Sequence, residues 1–474
     1  MRIPPPLVAA LKTLRSAGGR PHLTGGCVRD WQWGLEPKDF DIEVFGLDYE
    51  SMGRALAPFG PTDLVGRSFG VLKLRLDGLE YDFSLPRRES KTGAGHRGFV
   101  IAPDPDLTEA DAAARRDFTI NSLAYDPLTD RLIDPHGGVA DLKKKILRHT
   151  SEAFAEDPLR VLRAMQLAAR FDLTMVPETV ALCRSIRDSF KELSLERVWA
   201  EWDKWATLAV KPSAGLVVLK ETKWIILFNE VAAIDGVPQD PEWHPEGDVF
   251  AHTGHCLDAL VAQPAWRGGS PRTRRGLSFA VLAHDFGKAT TTHQAVRRGK
   301  MRWISPGHEA AGGPLTETFL TRIGAPLELV DSVRPLVVHH LAHHHGQTEF
   351  HATTVRRLAR KIAPATLDEL IAVMLADHLG RPPLVPLDTV RRLEQMRALA
   401  QQLALEHAAP KPIVLGRHLI ALGAKPGPLF TPALEAAFES QLDGAFYAEA
   451  DGVNWMKNYL RAHPELVKPN ENIP

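Results

Sequence analysis

The sequence has few cysteines, no long apolar run and almost no net charge, and each shortage excludes a class of protein. Its three cysteines, Cys27, Cys183 and Cys256, are too few and too scattered among 474 residues for a disulfide framework, which indicates a reducing compartment. Lys and Arg number 57 against 58 Asp and Glu, so a nucleic acid partner has to be bound by a local patch rather than by general positive charge.

Membrane and leader signals are also missing from the pattern. No stretch approaches the roughly 20 apolar residues that a membrane span needs. The first residues, MRIPPPLVAALK, lack the apolar core of a signal peptide. We therefore expect a soluble cytoplasmic protein, and its length predicts several domains.

Two patterns of secondary structure divide the chain. Residues 21–134 contain the predicted strands KDFDIEVFG, GVLKLRL and LEYDFSL, separated by Gly and Pro. Helical periodicity dominates from about residue 143, and the loop GVPQDPEWHPEGD near residue 240 indicates a domain boundary. We predict an α+β protein with a mixed sheet-and-helix head and an all-helical remainder. The predicted parts are a head (1–142), a neck (143–238), a third domain (239–400) and a tail (401–474).

A glycine pair and two carboxylates lie close together near the N-terminus. In LTGGCVRDWQWG, Gly25 and Gly26 permit a tight turn whose N–H groups face an anion at the start of a helix. Asp39 and Asp41 are two residues apart on a predicted strand, so their carboxylates project from one face. Two such carboxylates suit Mg²⁺ together with substrate phosphates. A pair of solvated strand-edge acids is the alternative interpretation.

The glycine pair, the dipeptide Arg29-Asp30 and the sequence Asp39-x-Asp41 together resemble the signature of polymerase β-like nucleotidyltransferases. More narrowly, they resemble motif A of the class II tRNA nucleotidyltransferase and bacterial poly(A) polymerase family. The resemblance implies two-metal catalysis, in which both aspartates hold Mg²⁺ that activates an RNA 3′-hydroxyl and neutralises the triphosphate. It also implies that the glycine pair and Arg29 face the nucleotide.

Later segments continue the resemblance. A third carboxylate is implied, for which Asp82 on LEYDFSL is the candidate and Glu80 the alternative. The stretch PRRESKTGAGHRGF corresponds to a flexible loop that helps switch nucleotide choice in the family, or else is a mobile solvated loop. ARRDFTINSLAYD resembles the second motif, which implies that Arg115 or Arg116 contacts phosphates and that Asp117 accepts from a ribose hydroxyl.

The segment AEDPLRVLRAMQLAARF carries a candidate base-reading pair. Asp157 and Arg160 stand at i and i+3, which predicts neighbours on one helix face. An accepting carboxylate beside a donating guanidinium matches cytosine or adenine and rejects uracil and guanine, although an ordinary helix salt bridge is the alternative. EDPLR resembles the EDxxR motif by which the family reads CTP and ATP, and Arg163 would reach the phosphates. Gln166 replaces the Arg of many relatives, which puts the full set of nucleotide contacts in question.

Histidine is concentrated in the third predicted domain, where 12 of the 20 lie between His244 and His351. The adjacent pair His284-Asp285, with distant histidines and a distal aspartate, resembles the HD superfamily of metal-dependent phosphohydrolases, whose metal activates water and polarises a phosphate. The implied ligands are His252, His284, Asp285 and Asp377, with His308 and His340 (or His339) completing a second metal position.

Two further interpretations concern this HD domain. The run of His343, His344 and His345 is interpreted as solvated. An inherited helical domain without activity is the alternative to a working metal centre. The resemblance leaves the metal open among Ni, Mn, Co, Fe and Mg²⁺, since mixed nitrogen and oxygen sites accept several.

The joined arrangement resembles bacterial tRNA nucleotidyltransferases that also carry phosphohydrolase activity, over about residues 20–400. It implies addition of CCA to tRNA from CTP and ATP with Mg²⁺, and an HD phosphatase or cyclic phosphodiesterase activity. Residues 143–187 hold nine Lys or Arg against five acids, which is compatible with a tRNA acceptor stem bound through phosphates. The sequence leaves the oligomeric state open between monomer and dimer.

Several alternatives remain at this point. An A-adding or CC-adding enzyme fits the motifs, because EDxxR occurs in all three classes, and a poly(A) polymerase is less favoured. A metal phosphohydrolase with a degenerate RNA-binding head is an alternative of another class, against which the intact head motifs argue. A tRNA-binding module without catalysis would leave both acid clusters unexplained.

Overall fold

The computed structural model confirms the predicted α+β class and divides the chain into two compact units. It describes residues 1–37, 39–65, 71–91, 99–344, 350–424 and 426–467. The first unit comprises Met1–Ala232 with Arg322–Gly324, and the second comprises Ala233–Thr321 with Ala325–Pro474. The finer division into four parts stays a prediction. Among the helices of the described residues, none combines the length and apolar content needed to cross a bilayer.

The first unit combines a mixed sheet with short helices and then a group of longer helices. Its strands are β1 (Arg20–Thr24), β2 (Asp41–Phe45), β3 (Thr62–Val65), β4 (Val71–Leu76), β5 (Leu79–Ser84), β6 (Arg87–Lys91), β7 (Phe99–Pro103), β8 (Ala124–Asp126), β9 (Arg131–Ile133), β10 (Ile146–Leu147) and β11 (Thr174–Met175). Its helices are α1 (Pro5–Ser16), α2 (Gly26–Gln32), α3 (Tyr49–Leu56), α4 (Glu109–Ala114), α5 (Gly138–Lys143), α6 (Leu159–Phe171), α7 (Pro177–Ser185), α8 (Leu195–Leu208), α9 (Pro212–Glu221) and α10 (Asn229–Ala233).

Seven strands form one sheet in the order β3-β4-β5-β2-β1-β8-β9. Strand β2 runs parallel to β5 and antiparallel to β1, so the strands predicted from KDFDIEVFG and LEYDFSL are neighbours. The register places Asp41 opposite Asp82. Ile42 and Val44 of β2 are fully buried and pack in one core cluster with Phe83 of β5. Because alternate side chains of a strand point to opposite faces, this packing leaves the face that carries Asp41 for the site.

Helix α6 carries Arg160 of the predicted base-reading pair. It begins at Leu159, after Pro158, and ends at Phe171, before Asp172, which adopts a left-handed conformation. A residue before proline is disfavoured in the α region, and Asp157 accordingly has φ −119° and ψ 103°. The sequence prediction that Asp157 and Arg160 share a helix face is therefore wrong for Asp157, which precedes the helix.

The second unit is helical apart from one hairpin. Its elements are α11 (Val249–Ala262), α12 (Pro264–Arg267), α13 (Pro271–Ala283), α14 (Lys288–Thr291), β12 (His293–Arg297), β13 (Lys300–Ile304), α15 (His308–Arg322), α16 (Leu327–His339), α17 (Ala352–Ile362), α18 (Leu367–Leu379), α19 (Leu387–Gln402), α20 (Gly416–Ala421), α21 (Phe430–Leu442) and α22 (Glu449–Ala462). The hairpin β12–β13 departs from the predicted all-helical remainder. Its turn residues Arg298 and Gly299 both have positive φ, the conformation that two-residue hairpin turns need.

Candidate active sites

A cleft of about 410 Å³ lies in the first unit and gathers most of the predicted nucleotide-binding residues. Its lining combines two glycines, three aspartates from separate motifs and seven arginines. The lining residues are Gly25, Gly26, Arg29, Asp41, Arg87, Arg115, Arg116, Asp117, Asn121, Asp157, Leu159, Arg160, Arg163 and Arg197.

Gly25 allows a close approach of the backbone to Arg116. It precedes α2 with φ 73° and ψ −128°, a conformation that favours glycine. A Cβ atom at this position would lie 3.0 Å from Arg116 Nη1. The N–H of Gly25 donates to the carbonyl oxygen of Leu123 at 3.0 Å, so it does not face an anion as the sequence suggested.

Of the three predicted catalytic carboxylates, Asp41 begins β2 and is paired with Asp82 within β5, and Asp39 precedes β2. Partial burial raises the pKa of the Asp41 carboxyl; Arg116 opposes this shift, while Asp82 and Asp39 raise the pKa further. Asp82 Oδ1 also lies 3.4 Å from Lys73 Nζ. Several groups of described residues bring candidate metal-ligand atoms within 4.8 Å of one another. None of these groups contains Asp39, Asp41 or Asp82. The donor set is nevertheless all oxygen and mutually repelling, which fits Mg²⁺.

Glu43, which the sequence analysis did not identify, anchors the two arginines of the second motif. It is 3% exposed, two residues after Asp41 on β2, and its Oε1 lies 2.7 Å from Arg115 Nη2. Its Oε2 lies 3.6 Å from Arg116 Nη2. Burial alone would raise the pKa of Glu43, but Arg116 and Arg115 outweigh it and lower this pKa. Glu43 therefore stays charged and fixes both guanidinium groups at the cleft wall.

Asp117 is placed differently from its predicted role as an acceptor for a ribose hydroxyl. Its Oδ2 accepts from Nε and Nη2 of Arg163 at 2.7 and 2.6 Å. Its Oδ1 accepts from the N–H of Phe118 at 2.8 Å and from Nδ2 of Asn121 at 3.0 Å. A carboxylate oxygen accepts about two hydrogen bonds, so the carboxylate is saturated. Asp117 thus positions Arg163 and Asn121 instead of offering a lone pair to a sugar.

Arg29 lines the cleft but is also engaged within the protein. Its guanidinium donates to Asp30 Oδ1 at 2.8 and 2.6 Å and to Asn121 Oδ1 at 2.6 Å. The same group lies 4.7 Å from the ring centroid of Phe171. With only 6% of its surface exposed, Arg29 joins α2 to α6 and to the second motif.

Asp157 and Arg160 both reach the cleft, and each is held by other groups. Asp157 Oδ2 accepts from Arg197 Nη2 at 2.8 Å, and Oδ1 accepts from the N–H of Leu159 at 3.1 Å. Arg160 donates to the carbonyl oxygens of Ala153 and Arg115 at 2.8 and 2.6 Å. The pair is therefore oriented from both sides, and Arg197 on α8 is a cleft residue that the sequence analysis missed.

Gln166 lies away from the nucleotide cleft. It is 5% exposed on α6, and it is absent from the cleft lining among the described residues. Its Oε1 is buried and has no hydrogen-bond partner among those residues. The departure from the usual Arg therefore changes the interior of the neck and leaves the cleft wall as described.

In the second unit, the structure brings together all six predicted HD residues in two groups. Each group has ligand atoms within 4.8 Å of one another. Each of the six side chains is buried. The first group is His252, His284 and Asp377 with Cys256; the second is Asp285, His308 and His340.

Backbone carbonyls orient three of these imidazoles. The Nδ1 atoms of His284, His308 and His340 each lie 2.7 Å from a carbonyl oxygen three residues earlier in the chain. That contact makes Nδ1 the protonated nitrogen and leaves Nε2 with a lone pair, which is the arrangement of metal-binding histidines. His284 Nε2 lies 3.3 Å from Asp285 Oδ2, yet it is buried without a hydrogen bond to any described residue. This orphaned acceptor fits a cation.

Glu246 orients the remaining histidine of the group. Its Oε1 lies 2.7 Å from His252 Nδ1 and 2.9 Å from His244 Nδ1. Burial alone would raise the pKa of Glu246, but hydrogen bonds to His244 and His252 lower it to about 2. A charged carboxylate behind an imidazole strengthens that imidazole as a ligand, a partnership that the sequence HPEGD contained but that its analysis missed.

Two cations hold the carboxylates of the HD centre. Lys288 Nζ lies 2.8 Å from Asp285 Oδ2, and Arg381 Nη2 lies 2.6 Å from Asp377 Oδ1. Burial opposes ionisation of Asp377, but Arg381 and His252 lower its pKa well below the ordinary value. Burial raises the pKa of the Cys256 thiol, which lies in the same group of candidate ligands as His252, His284 and Asp377. The donors that fit are imidazole nitrogen and carboxylate oxygen.

Comparisons with known proteins agree with this pair of sites. The profile of the poly A polymerase head domain matches residues 21–148. The multifunctional CCA protein of Laribacter hongkongensis is 38% identical over 370 residues, which cover 76% of this chain and 85% of that protein. The multifunctional CCA protein of Xylella fastidiosa is 36% identical over 375 residues, covering 76% and 84%. This chain belongs to the family of multifunctional CCA proteins.

Solved structures support the fold of this chain. The CCA-adding enzyme of Bacillus stearothermophilus in complex with CTP is 20% identical with a TM-score of 0.64, covering 98% of this chain and 100% of that chain. The Thermotoga maritima CCA-adding enzyme complexed with tRNA is 18% identical with a TM-score of 0.59, covering 97% of each chain.

The histidine run that begins at His343 is not the solvated segment that its sequence suggested. His343 is 1% exposed, and its Nε2 lies 2.7 Å from Nε2 of the buried His378. Among the three histidines of the run, His344 is exposed as expected and His345 lies outside the described residues. Residues 92–98 of the predicted nucleotide-switching loop also lie outside the described residues, which end on β6 and resume on β7.

Proposed function

We propose that this protein adds C, C and A to the 3′ end of tRNA, using CTP and ATP. The observation that carries the proposal is the 410 Å³ cleft, which gathers Asp41, the pair Asp157 and Arg160, and a ring of arginines around one space. Its relatives are named for CCA, and proteins of similar fold are described with CTP, with ATP and with tRNA. Transfer joins the tRNA 3′ oxygen to the α-phosphorus and releases pyrophosphate.

Three carboxylates on or beside β2 and β5 would hold the metal of this reaction. Asp39, Asp41 and Asp82 supply the hard oxygen donors that Mg²⁺ prefers. Bound there, Mg²⁺ would lower the pKa of the attacking hydroxyl and neutralise the triphosphate. Burial raises the pKa of Asp41 most, and repulsion from Asp82 and Asp39, which a cation would relieve, adds to this rise.

Arginines of the cleft lining would bind the triphosphate. Arg115 and Arg116 are held by the buried Glu43, so their guanidinium groups are oriented before a nucleotide enters. Arg163 is oriented in the same way by Asp117. A guanidinium fixed in this manner binds phosphate oxygens without first losing rotamer freedom.

The base would be read by Asp157 and Arg160. Each oxygen of Asp157 accepts one hydrogen bond from the protein, and a carboxylate oxygen can accept a second from an exocyclic amine. Arg160, fixed by two carbonyls, would donate to the adjacent ring nitrogen. Cytosine and adenine present this amine and nitrogen, whereas uracil and guanine present a carbonyl in place of the amine.

Stepwise extension of tRNA tests the proposal and separates its alternatives. The full-length protein with Mg²⁺ is given tRNAs that end before CCA, after C and after CC, with CTP alone, ATP alone and both. We expect each tRNA to be extended to CCA and then to stop. Extension only of the CC-ending tRNA would indicate an A-adding enzyme, arrest after CC a CC-adding enzyme, and a long A ladder a poly(A) polymerase. No incorporation at all would contradict the proposal and leave the HD centre as the active part.

A second activity is favoured by the buried histidine and aspartate cluster. We propose that the HD domain is a metal-dependent phosphohydrolase, with His252, His284, Asp285 and Asp377 holding one divalent cation and His308 and His340 completing a second position. The nitrogen-rich set favours Ni, Mn, Co or Fe, with Mg²⁺ as the alternative. A bound cation would lower the pKa of water and polarise the phosphate. Hydrolysis of a phosphomonoester consumes one water and releases an alcohol and inorganic phosphate.

The metal of the HD domain can be tested apart from its activity. Metal bound after dialysis is measured by mass spectrometry in the wild type and in His284→Ala. We expect the variant to lose bound metal while CCA addition is retained. Unchanged metal content in the variant would contradict the assigned ligands.

The proposed partners and location follow from the tRNA reaction. The basic neck around Lys143 and Arg148 would contact the acceptor stem through phosphates. We place the protein in the cytoplasm, where tRNA matures in bacteria.

A further inference from the structure

A second cavity, of about 270 Å³, opens beside the HD centre in the second unit. Its lining includes His308, whose Nε2 lies 3.2 Å from Asp285 Oδ1. Lys288 and Arg381, the two cations that hold the HD carboxylates, line it as well. A molecule in this cavity therefore meets both positive charge and the proposed hydrolytic centre.

Two tryptophans form the outer part of this cavity, and the proposed hydrolysis of a phosphate does not require them. Trp243, in the segment that precedes α11, is 57% exposed. Trp303, on β13, is half-buried. An indole ring that is this exposed, at the opening of a charged cavity, does not contribute to packing in the hydrophobic core. Large exposed apolar groups that rim a polar cavity mark binding sites.

Contacts within the protein join the segments that carry these tryptophans, independently of a ligand. Arg302, next to Trp303, lies 3.0 Å from Asp240 Oδ1 and also pairs with Glu242. Lys288 Nζ donates to Gln239 Oε1 at 2.8 Å. The loop and the hairpin are thus held at the cavity by ion pairs and a hydrogen bond, so the aromatic surface is largely preformed.

We propose that Trp243 and Trp303 bind the base of a nucleoside phosphate whose phosphate group reaches the HD centre. This inference rests on the proposed hydrolase function and assigns the residues that would bind the base of its substrate. Bases stack on indole rings, while Lys288 and Arg381 attract the phosphate and the histidine-aspartate cluster hydrolyses it. The substrate is then a free nucleotide or the phosphorylated 3′ terminus of an RNA, and small phosphate esters without a base are poor substrates.

The contribution of the base is measured with two substrates that differ only in that group. Hydrolysis of 5′-AMP and of ribose 5-phosphate is compared for the full-length, metal-loaded wild type, Trp243→Ala and Trp303→Ala. We expect the ratio of kcat/KM for AMP to that for ribose 5-phosphate to fall by about 5- to 150-fold in each variant, mainly through KM, since stacking on an aromatic ring contributes to binding. Trp243→Phe and Trp303→Phe should restore most of the ratio.

Met301→Ala is the matched control, because Met301 is exposed on the same strand and is absent from the cavity lining among the described residues. Its ratio should equal that of the wild type. Equal loss of both activities in the tryptophan variants would overturn the inference and indicate a purely structural role. A wild type that prefers neither substrate would also overturn it.

Binding distinguishes failure of this inference from failure of the hydrolase proposal. If the wild type hydrolyses neither substrate, the hydrolase proposal is wrong, and calorimetric titration with AMP still decides the inference. Loss of one binding event in Trp243→Ala supports the aromatic site, and an unchanged titration overturns it. A 3′-phosphorylated RNA oligonucleotide compared with 3′-AMP then shows which source of nucleotide the cavity prefers.

Discussion

Asp117 holds Arg163 through two hydrogen bonds to one oxygen, with Arg163 Nε and Nη2 at 2.7 and 2.6 Å from Asp117 Oδ2. The other oxygen binds Asn121, which in turn accepts from Arg29. A single buried carboxylate thus links the second motif to both the glycine turn and α6. The arrangement of these side chains in the cleft wall therefore depends on Asp117.

Removal of the charge of Asp117 is expected to destabilise the first unit. Asp117→Asn keeps the shape but leaves Arg163 without its counter-ion, so we expect the free energy of unfolding to fall by about 1–3 kcal/mol. Asp188→Asn is the matched control, because Asp188 is 92% exposed and lies 3.7 Å from Arg187. Such a surface pair contributes at most about 1 kcal/mol. Urea unfolding at pH 7 measures both, and equal losses would contradict the role given to Asp117.

The same carboxylate predicts a pH dependence. Burial alone would raise the pKa of Asp117, but Arg163 and Asn121 lower it below its ordinary value of about 3.9. The folded state therefore binds this proton more weakly than the unfolded state. The stabilisation is fully present above about pH 5 and is lost as the pH falls through the lowered pKa. The difference in unfolding free energy between wild type and Asp117→Asn should shrink below about pH 4, and a constant difference would contradict the assignment.

Asp82 and Glu80 can be distinguished as the third catalytic carboxylate. The register places Asp82 opposite Asp41, whereas Glu80 lies opposite Arg75 and binds Lys73. We expect Asp82→Asn to lower kcat for nucleotide incorporation by at least about 10²-fold, the effect of removing one charge-stabilising group. Glu80→Gln should stay within about twofold. The reverse order of effects would move the third carboxylate to Glu80.

Asp157 is predicted to control the choice of base. Asp157→Asn can accept or donate at the base edge, so we expect the preference for CTP over UTP to fall by about 5- to 150-fold, the discrimination of a good bidentate contact. The neighbouring Glu156→Gln is the control, since Glu156 is absent from the cleft lining among the described residues. The measurement is kcat/KM for all four nucleoside triphosphates. An unchanged preference in Asp157→Asn would exclude it as a reader of the base.

Gly25 is predicted to matter for activity beyond its backbone strain. Gly25→Ala and Gly34→Ala both place an L-residue at positive φ, at 73° and 83°, which costs roughly 1–2 kcal/mol. Only at Gly25 does the added Cβ meet another group, Arg116 Nη1 at 3.0 Å, while that of Gly34 meets nothing within 4 Å. Both variants should lose stability by thermal unfolding, and only Gly25→Ala should raise KM for CTP. Similar KM values in the two variants would contradict the contact.

The sequence was most informative where local periodicity decides the structure. Alternation in KDFDIEVFG predicted the strand β2, but β2 begins at Asp41, so the shared face of Asp39 and Asp41 stays a prediction. The same alternation places Glu43 on the face of β2 that carries Asp41. Spacing along the sequence cannot show, however, that Glu43 is buried and pairs with two distant arginines. Pro158 likewise contained the signal that Asp157 precedes the helix, through the restriction that proline places on its neighbour.

Contacts between distant segments were the main omission. Arg197 holds Asp157 only because α8 packs on α6, and Glu246 holds His252 only because the loop before α11 folds back. His343 was interpreted as solvated since three histidines in a row are polar, yet packing against His378 on α18 buries it. The hairpin with Trp303 was missed because its charged strands lack an apolar alternation.

Two centres with separate chemistry are the central claim, and paired charge-neutralising variants test it most directly. Full-length Asp41→Asn and Asp285→Asn are each assayed for CCA addition to tRNA and for release of phosphate from nucleotides, with thermal unfolding as the check on folding. We predict that Asp41→Asn loses addition and keeps hydrolysis, while Asp285→Asn loses hydrolysis and keeps addition. Continued addition by folded Asp41→Asn, or loss of both activities in either folded variant, would contradict the account.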